Sequence, residues 1–361
     1  MSPAVHQHIL PFDGDAFSVF CIFKDQPHAF FLDSSLHRSQ SRFSYIGFGP
    51  FTTVRGGDWG GFKRVFDKYR LGPQRLSFPA GAVGYMGYDG SLFFGFYDTI
   101  VAVEHQKHQL IISSLSQGRI KDILKQLKAS NPYKKSCHSR ESGNPIKNNL
   151  NFKSNFSKAD YLKAVRQALE HIRRGDIYQI NLSHQIKVQV PLGGNVEPAA
   201  IYRNLRRSFP SEFGAYFDDG RQVILSASPE RFLKLQNGIV HLKPMKGTRP
   251  RGKTRVQDRT LKEQLQKSPK EIAELLMVTD LERNDLGRVC DYSSVKVKAM
   301  RTIETYASVF QATSTVEGRL RRGCDQFDLL QASFPSGSVT GCPKIEAMKI
   351  IKKLERGPRG L

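Results

Sequence analysis

The apolar residues of this chain fall into two rhythms. Over roughly the first 130 residues they come in short runs punctuated by Gly and Asp, which predicts strands at FSVFCIF, RFSYIGFGPFTTV, GAVGYMGYDG, TIVAVEH and HQLIISSL. A short helical stretch from Ile120 to Leu127 follows. Further on, Ser157-Lys-Ala-Asp is an N-cap pattern with an acid three residues on, and Tyr161, Leu162, Val165, Ala168, Leu169 and Ile172 recur at helical spacing. Arg173-Arg174-Gly175 ends that helix. From Ile177 the period changes to two. Tyr178, Ile180, Leu182, Ile186, Val188 and Val190 share one face, and Gln179, Asn181, Ser183, Gln185 and Lys187 the other. That alternation predicts one strand of a sheet packed on one side, its polar face turned to solvent or to a ligand.

Two runs, Arg231 to Leu235 and Ile239 to Lys243, are joined by Gln236-Asn237-Gly238. Asn-Gly is a strong hairpin signal because both turn positions need positive φ. With Asn237 and Gly238 as the loop, Leu235 pairs with Val240, and the register carried back sets Glu230 opposite Met245 and beside Lys246. Pro229 and Pro244 end the ladder there, so an acid and an amine can turn together into a cleft. Lysine is nucleophilic at neutral pH only when burial or nearby cations disfavour its ammonium form, and Lys243, Arg249 and Arg251 are candidate neighbours. A surface ion pair worth at most ~1 kcal/mol is the competing reading. Ser268-Pro269-Lys270-Glu271 reads as a capped helix start with Pro at the first helical position. The helix runs on through Ile272, Leu275, Leu276 and Val278, with Glu271 and Glu274 one turn apart. Such a pair suits a hard cation such as Mg²⁺; equally, Glu271 could only cap and Glu274 be solvated. Asp280 to Arg288 reads as a charged turn with a structural role. Phe334 to Lys344 is a small polar loop entering a helix, the kind of segment that cradles anions.

Composition narrows the class. With 361 residues, 39% hydrophobic and 24% charged, the chain is long enough for one large core or two smaller ones. No apolar stretch is long enough to span a membrane, and the start lacks the pattern of a signal peptide. The five cysteines are scattered without a CxxC pair, which points away from disulfides and zinc and toward a cytoplasmic setting. The formal charge of +22 admits nucleic acid, but the basic residues are spread along the chain and no nucleic-acid motif accompanies them. An anionic small substrate explains the sign as well. Residues 131–156, polar, basic and almost without aliphatics, read as a flexible insertion between a β-rich region (1–130) and a second region (157–361).

GDIYQINLS, SPERF, KPMKGTRPRG, KEIAELLMVTDLERNDLGRV and FPSGSVTGCPKIEAMKII, in this order, resemble the chorismate-utilising family of anthranilate, aminodeoxychorismate, isochorismate and salicylate synthase large chains. RFSYIGFGP and GAVGYMGYD resemble the family's first region. The resemblance implies an α+β fold of two large antiparallel sheets packed face to face with helices outside, and a Mg²⁺-dependent reaction on chorismate. It implies substrate contacts from Gln179, Gly247, Thr248, Ser338, Thr340 and Gly341, and a metal site including Glu271 and Glu274. Lys246 stands in Pro-x-x-Gly-Thr where aminodeoxychorismate synthases carry lysine and anthranilate synthases typically alanine. That implies attack of Lys246 on C2 of chorismate, departure of the C4 hydroxyl with help from Glu230, and displacement of the lysine by ammonia at C4. The ammonia would come from a glutamine amidotransferase subunit. Gln179 occupies the position of a lysine base in the water-using members. Gln311 stands where many members have His. The family pattern continues past LERGPRGL into a segment with a second pair of metal-binding glutamates. The chain is therefore expected to have an incomplete Mg²⁺ shell and little activity as it stands. Anthranilate synthase component I and a non-catalytic remnant are the alternatives.

Overall fold

The computed structural model describes residues 4–36, 42–72, 78–130, 151–190, 196–306 and 308–361. Most of the expected insertion (131–150) lies outside them. The chain divides into two compact units. One is Met1–Phe152 with Val188–Pro229 and Gly360–Leu361; the other is Lys153–Lys187 with Glu230–Arg359. No described helix is long and apolar enough to cross a membrane.

The first unit is built on a seven-stranded antiparallel sheet. In spatial order its strands are His6–Pro11, Gln109–Ser114, Thr99–Glu104, Phe43–Gly47, Phe30–Asp33, Phe213–Asp218 and Val223–Ser228. Because successive strand residues point to opposite faces, a sheet covered on both sides needs apolar side chains at every position. Phe30-Phe31 meets that demand. Phe31 joins Phe17, Phe20, Phe23, Ile120, Ile123 and Tyr202 from the helices, while Phe30 packs with Phe93, Tyr97 and Val83 of a three-stranded sheet (Thr52–Gly56, Gly81–Met86, Leu92–Tyr97). FSVFCIF is a helix, Ala16–Phe23, and not the expected strand. Phe17, Phe20 and Phe23 recur every third residue and are all buried, and Asp15 caps the start by accepting from the Phe17 amide at 3.2 Å. Short apolar runs do not separate the two periods, and here the cap decides. The helix after HQLIISSL, Gln117–Ser130, extends beyond the expected Ile120 to Leu127 at both ends.

The spine of the second unit is the strand Val309–Arg319. On one edge it takes Ile239–Leu242 and then Met245–Pro250, end to end; on the other it takes Lys296–Thr305. Leu233–Gln236 pairs with Ile239–Leu242 in the expected hairpin, with Leu235 opposite Val240 and both turn residues at positive φ. Pro244 therefore interrupts a strand that resumes; it does not close the ladder. The helix Pro269–Gly287 lies along the spine, its Leu275 packed with Phe310 and Ala312 and its Leu286 with Val316. Lys158–Arg173 is capped by Ser157 as read from the sequence, and Gly175 leaves it at φ 78°. The single strand expected from Ile177 to Val190 is instead two pieces, Gln179–Ile180 and Ile186–Gln189, and Tyr178, Ile186, Val188 and Val190 are exposed. Alternation sets a strand's faces but not whether anything covers them. The α+β class with antiparallel sheets is as expected.

Arg206 is the polar keystone of the first unit. It donates to Asp33 at 2.7 Å and to Asp15 at 2.9 Å, and its guanidinium lies over the Phe17 and Phe31 rings. The Asp33 side chain is fully buried, and burial raises its pKa despite the arginine. Removing the cation would strand that carboxylate. Arg206→Ala should lower unfolding stability by about 3–5 kcal/mol in urea titrations. Combining Arg206→Met with Asp33→Asn should cost clearly less. Equal losses for both would show that packing, and not the charge pair, is what Arg206 contributes.

Candidate active site

The hairpin delivers an acid and an amine to one place. Glu230 precedes the first strand and its Oε1 accepts from the Met245 amide at 3.2 Å, so the acid reaches the neighbour of Lys246 through its side chain, beyond the ladder's last pair, Leu233 with Leu242. The ladder with Val309–Arg319 slips between Lys246 and Thr248, a bulge centred on Gly247 at φ 84°. Glycine is required there for space as well: a Cβ would meet Glu271 Oε2 at 2.7 Å. The bulge turns Lys246 so that its Nζ donates to the Ser338 carbonyl at 3.1 Å. Desolvation raises the pKa of Glu230; the Met245 amide, the Lys246 charge and the Ser338 hydroxyl pull it back. The proposed neighbouring cations do not act on Lys246 unopposed. Lys243 pairs with Glu304, Arg249 with Glu271 at 3.0 Å, and Arg251 with Asp258 at 2.7 Å.

The loop Phe334–Lys344 closes over this pair. Its Gly341–Cys342 step forms a two-residue ladder with Gln179–Ile180. A Cβ on Gly341 would come within 2.2 Å of the Gln179 carbonyl oxygen, so only glycine allows the approach. Asn181 adds a 3.4 Å bond to the same Ser338 carbonyl that receives Lys246. The loop uses its own polar groups more than an open anion cradle would. The Ser338 amide donates to Ser336 Oγ at 3.2 Å, the Val339 amide to the Ser336 carbonyl, and the Thr340 amide to the Gly337 carbonyl. Thr340 is fully buried, its hydroxyl on the Ser336 carbonyl at 2.9 Å. Gln179 Oε1 is buried and has no hydrogen-bond partner among the described residues. Thr248 sits opposite Gln311 on the spine.

Asp280 to Arg288 is no turn. The helix that begins at Pro269 continues to Gly287 and buries Leu275, Val278, Thr279, Glu282, Asp285 and Leu286. These recur at three- and four-residue intervals, so the period puts two carboxylates in the interior stripe. That stripe was the available signal, and the density of charge obscured it. Asp285 pairs with Lys344 at the start of the helix Lys344–Leu354; Lys344 also donates to the Ser333 carbonyl at 2.9 Å. Glu282 is 3% exposed and its pKa is pushed up to about 8, by burial first and then by the charges of Glu230 and Asp285. The sequence reading missed Glu282, Asp285, Lys344 and Ser336.

Glu271 and Glu274 sit in the first two turns of this helix. Glu271 lies over Gly247 and holds Arg249; Glu274 is 3.8 Å from Lys270. The Glu271 amide also donates to the Oγ of the capping Ser268 at 3.4 Å. Two carboxylates one turn apart are hard oxygen donors of the type Mg²⁺ prefers, and the cradle left by Gly247 places one of them at the Lys246 segment. The donor type suits magnesium, but no cluster of three or more such side chains forms among the described residues, and each of these two carboxylates is balanced by a basic side chain.

Known proteins match this arrangement over nearly the whole chain. A family model described as chorismate binding enzyme covers residues 29–361. Anthranilate synthase component 1 of Thermus thermophilus is 34% identical over 92% of this chain and 79% of its own length. Aminodeoxychorismate synthase of Streptomyces pristinaespiralis is 33% identical over 97% of this chain, which spans only 55% of that relative. The crystal structure of anthranilate synthase component I from Streptococcus pneumoniae superposes with a TM-score of 0.74 at 27% identity, covering 90% of this chain and 80% of the other. The chain belongs to the chorismate-binding enzyme family.

Proposed function

We propose that this protein aminates chorismate at C4 to give 4-amino-4-deoxychorismate, the precursor of 4-aminobenzoate in folate synthesis. The ammonia comes from a glutamine amidotransferase subunit. The observation that carries the reading is the juxtaposition of Lys246 and Glu230 beneath the Ser338 loop. Relatives named both aminodeoxychorismate synthase and anthranilate synthase leave the family open to either product, and the lysine favours the first.

In this reading the Lys246 amine, as its free base, attacks C2 of chorismate. The ring electrons shift and the C4 hydroxyl departs as water, taking a proton from Glu230. Ammonia then adds at C4 and the lysine leaves C2. Gln179, Gly247, Thr248, Ser338, Thr340 and Gly341 line the substrate. Glu271 and Glu274 would hold a Mg²⁺, which when bound sets positive charge against a substrate carboxylate. Burial of Glu230 suits its role, because a raised pKa keeps the donor proton in place at higher pH. The acid-dependent step should decline as pH rises through that raised value.

Mass spectrometry after incubation with chorismate and Mg²⁺, without ammonia, should find a chorismate-derived adduct on the peptide carrying Lys246. An adduct that persists in Lys246→Ala would remove lysine from the mechanism. Glu230→Gln should slow amination by ~10²–10⁴-fold, and the residual rate should lose the decline at high pH. Chromatography of the product decides between the two amination chemistries, since anthranilate as the main product would place the chain with the other branch. Whatever turnover is measured should be supported by ammonium salts without an amidotransferase subunit, and by glutamine only after that subunit is added. Glutamine-dependent turnover without that subunit would refute the partner.

A further inference from the structure

Glu282 has no part in the chemistry above, yet it is the most deeply buried carboxyl around Glu230. At 3% exposure it stands on the inner stripe of the helix Pro269–Gly287, and its Oε2 has no hydrogen-bond partner among the described residues. A buried polar atom without a partner costs free energy that an apolar side chain of similar volume would not. Packing therefore gives no reason for a glutamate here.

The groups that face it come from four elements. Glu230 approaches from the hairpin, Asp285 from the next turn of the same helix, Lys344 from the helix Lys344–Leu354, and Ser336 from the loop. Lys344 is engaged by Asp285 and by the Ser333 carbonyl, and Arg288 acts on Asp285 from the exposed side of the helix. Lys246 bears on Glu230. The interior thus gathers three carboxyls, Glu230, Glu282 and Asp285, around two amines, Lys246 and Lys344. One proton on a carboxyl brings that set to neutrality, and burial puts it on Glu282, whose pKa lies at about 8.

Hydroxyls connect this proton to the acid. Ser336 bears on the Glu282 carboxyl and the Ser338 hydroxyl on Glu230, each lowering the pKa of its partner, and Ser336 Oγ lies 3.0 Å from Ser338 Oγ. Both serines belong to the loop that also receives Lys246. We propose that Glu282 is the proton reserve of Glu230, acting through the hydroxyls of Ser336 and Ser338. This rests on the reading of Glu230 as the acid of the amination.

The transfer balances without any co-reactant. Passing the Lys246 proton to Glu230 frees the amine and arms the acid without changing the total; after Glu230 has given that proton to the departing hydroxyl it is a carboxylate again. The Glu282 proton moves to Ser336 Oγ as the Ser336 proton moves to Ser338 Oγ and the Ser338 proton to Glu230. Glu230 is then neutral and Glu282 a carboxylate. Ammonia bonded at C4 carries one proton too many, and its loss restores Glu282. Only O–H and N–H bonds are exchanged. Glu282 does not touch the substrate in this scheme; it is a positioning residue that sets the protonation of another.

Infrared titration and kinetics of the full chain test this together. The native protein should show a protonated-carboxyl C=O stretch at pH 7 that titrates near pH 8, is missing in Glu282→Gln, and moves to a lower midpoint in Glu230→Gln, where a like charge is gone. Glu282→Gln should lower kcat at least about tenfold with KM for chorismate within about twofold, and remove the part of the alkaline decline near pH 8 while leaving the part set by Glu230 itself. The double variant Ser336→Ala, Ser338→Ala should lower kcat similarly while the Glu282 band persists, which a purely structural carboxyl would not produce. Absence of the band at pH 7, or native kcat and pH profile in Glu282→Gln or in the serine variant, overturns the relay. Turnover lost in Glu230→Gln but intact in Glu282→Gln rejects the relay alone. Turnover intact in both rejects the amination reading with it.

Discussion

The candidate site depends on one strand. Val309–Arg319 is long enough to hold two successive segments on the same edge, Ile239–Leu242 and Met245–Pro250, and the Lys243-Pro244 break falls between them. Pro244 has no amide hydrogen to give, but its carbonyl accepts from the Ser314 amide at 3.0 Å, so the chain stays attached to the spine while it bends. Register on either side of the break is then fixed independently. The Asn-Gly turn sets the first segment and thereby Glu230; the glycine bulge sets the second and thereby Lys246. A one-residue slip in either ladder would send one of the two side chains to the opposite face of the sheet.

The second organising feature is how charge is distributed within that unit. Lys243, Arg249 and Arg251 each have a carboxylate of their own, which neutralises the basic motif KPMKGTRPRG, and Lys344 has Asp285. Lys246 differs in that its hydrogen bond goes to a backbone carbonyl, with Glu230 acting on it by charge. The carboxyls that remain are crowded, and crowding of like charges in a desolvated interior is resolved by holding a proton and not by pairing. The same reasoning gives the high formal charge of the chain a local meaning. Near the site the basic residues compensate acids, so the net charge says little about what the site binds.

The first unit reaches its stability by different means. Its central sheet is apolar on both faces, and a buried ion pair, Arg206 with Asp33, is braced by aromatic rings and by Asp15, which also caps the first helix. A single arginine there ties a strand end, a helix start and a second helix together.

The sequence alone determined what short-range chemistry determines. It marked the Asn-Gly hairpin and its register, the Ser157 and Ser268 caps, the helix beginning at Pro269, and through its motifs the family with Lys246, Glu230, Glu271 and Glu274. The hairpin and the caps follow from neighbours within a few residues, where turn dihedrals and orphan amides leave few options; the family and its residues came from the resemblance. Tertiary structure decided the rest. It made FSVFCIF a helix, because a mostly apolar run of seven fits either period until a cap and a partner surface choose. It broke the 177–190 strand, because alternation says nothing about whether a neighbouring strand exists. It turned Asp280 to Arg288 from a charged turn into the inner face of a helix and brought Glu282 to Glu230, some fifty positions away in the chain. No local pattern encodes that meeting. It arises only when helix, hairpin and loop are packed on one spine and desolvation acts on all of their charges at once.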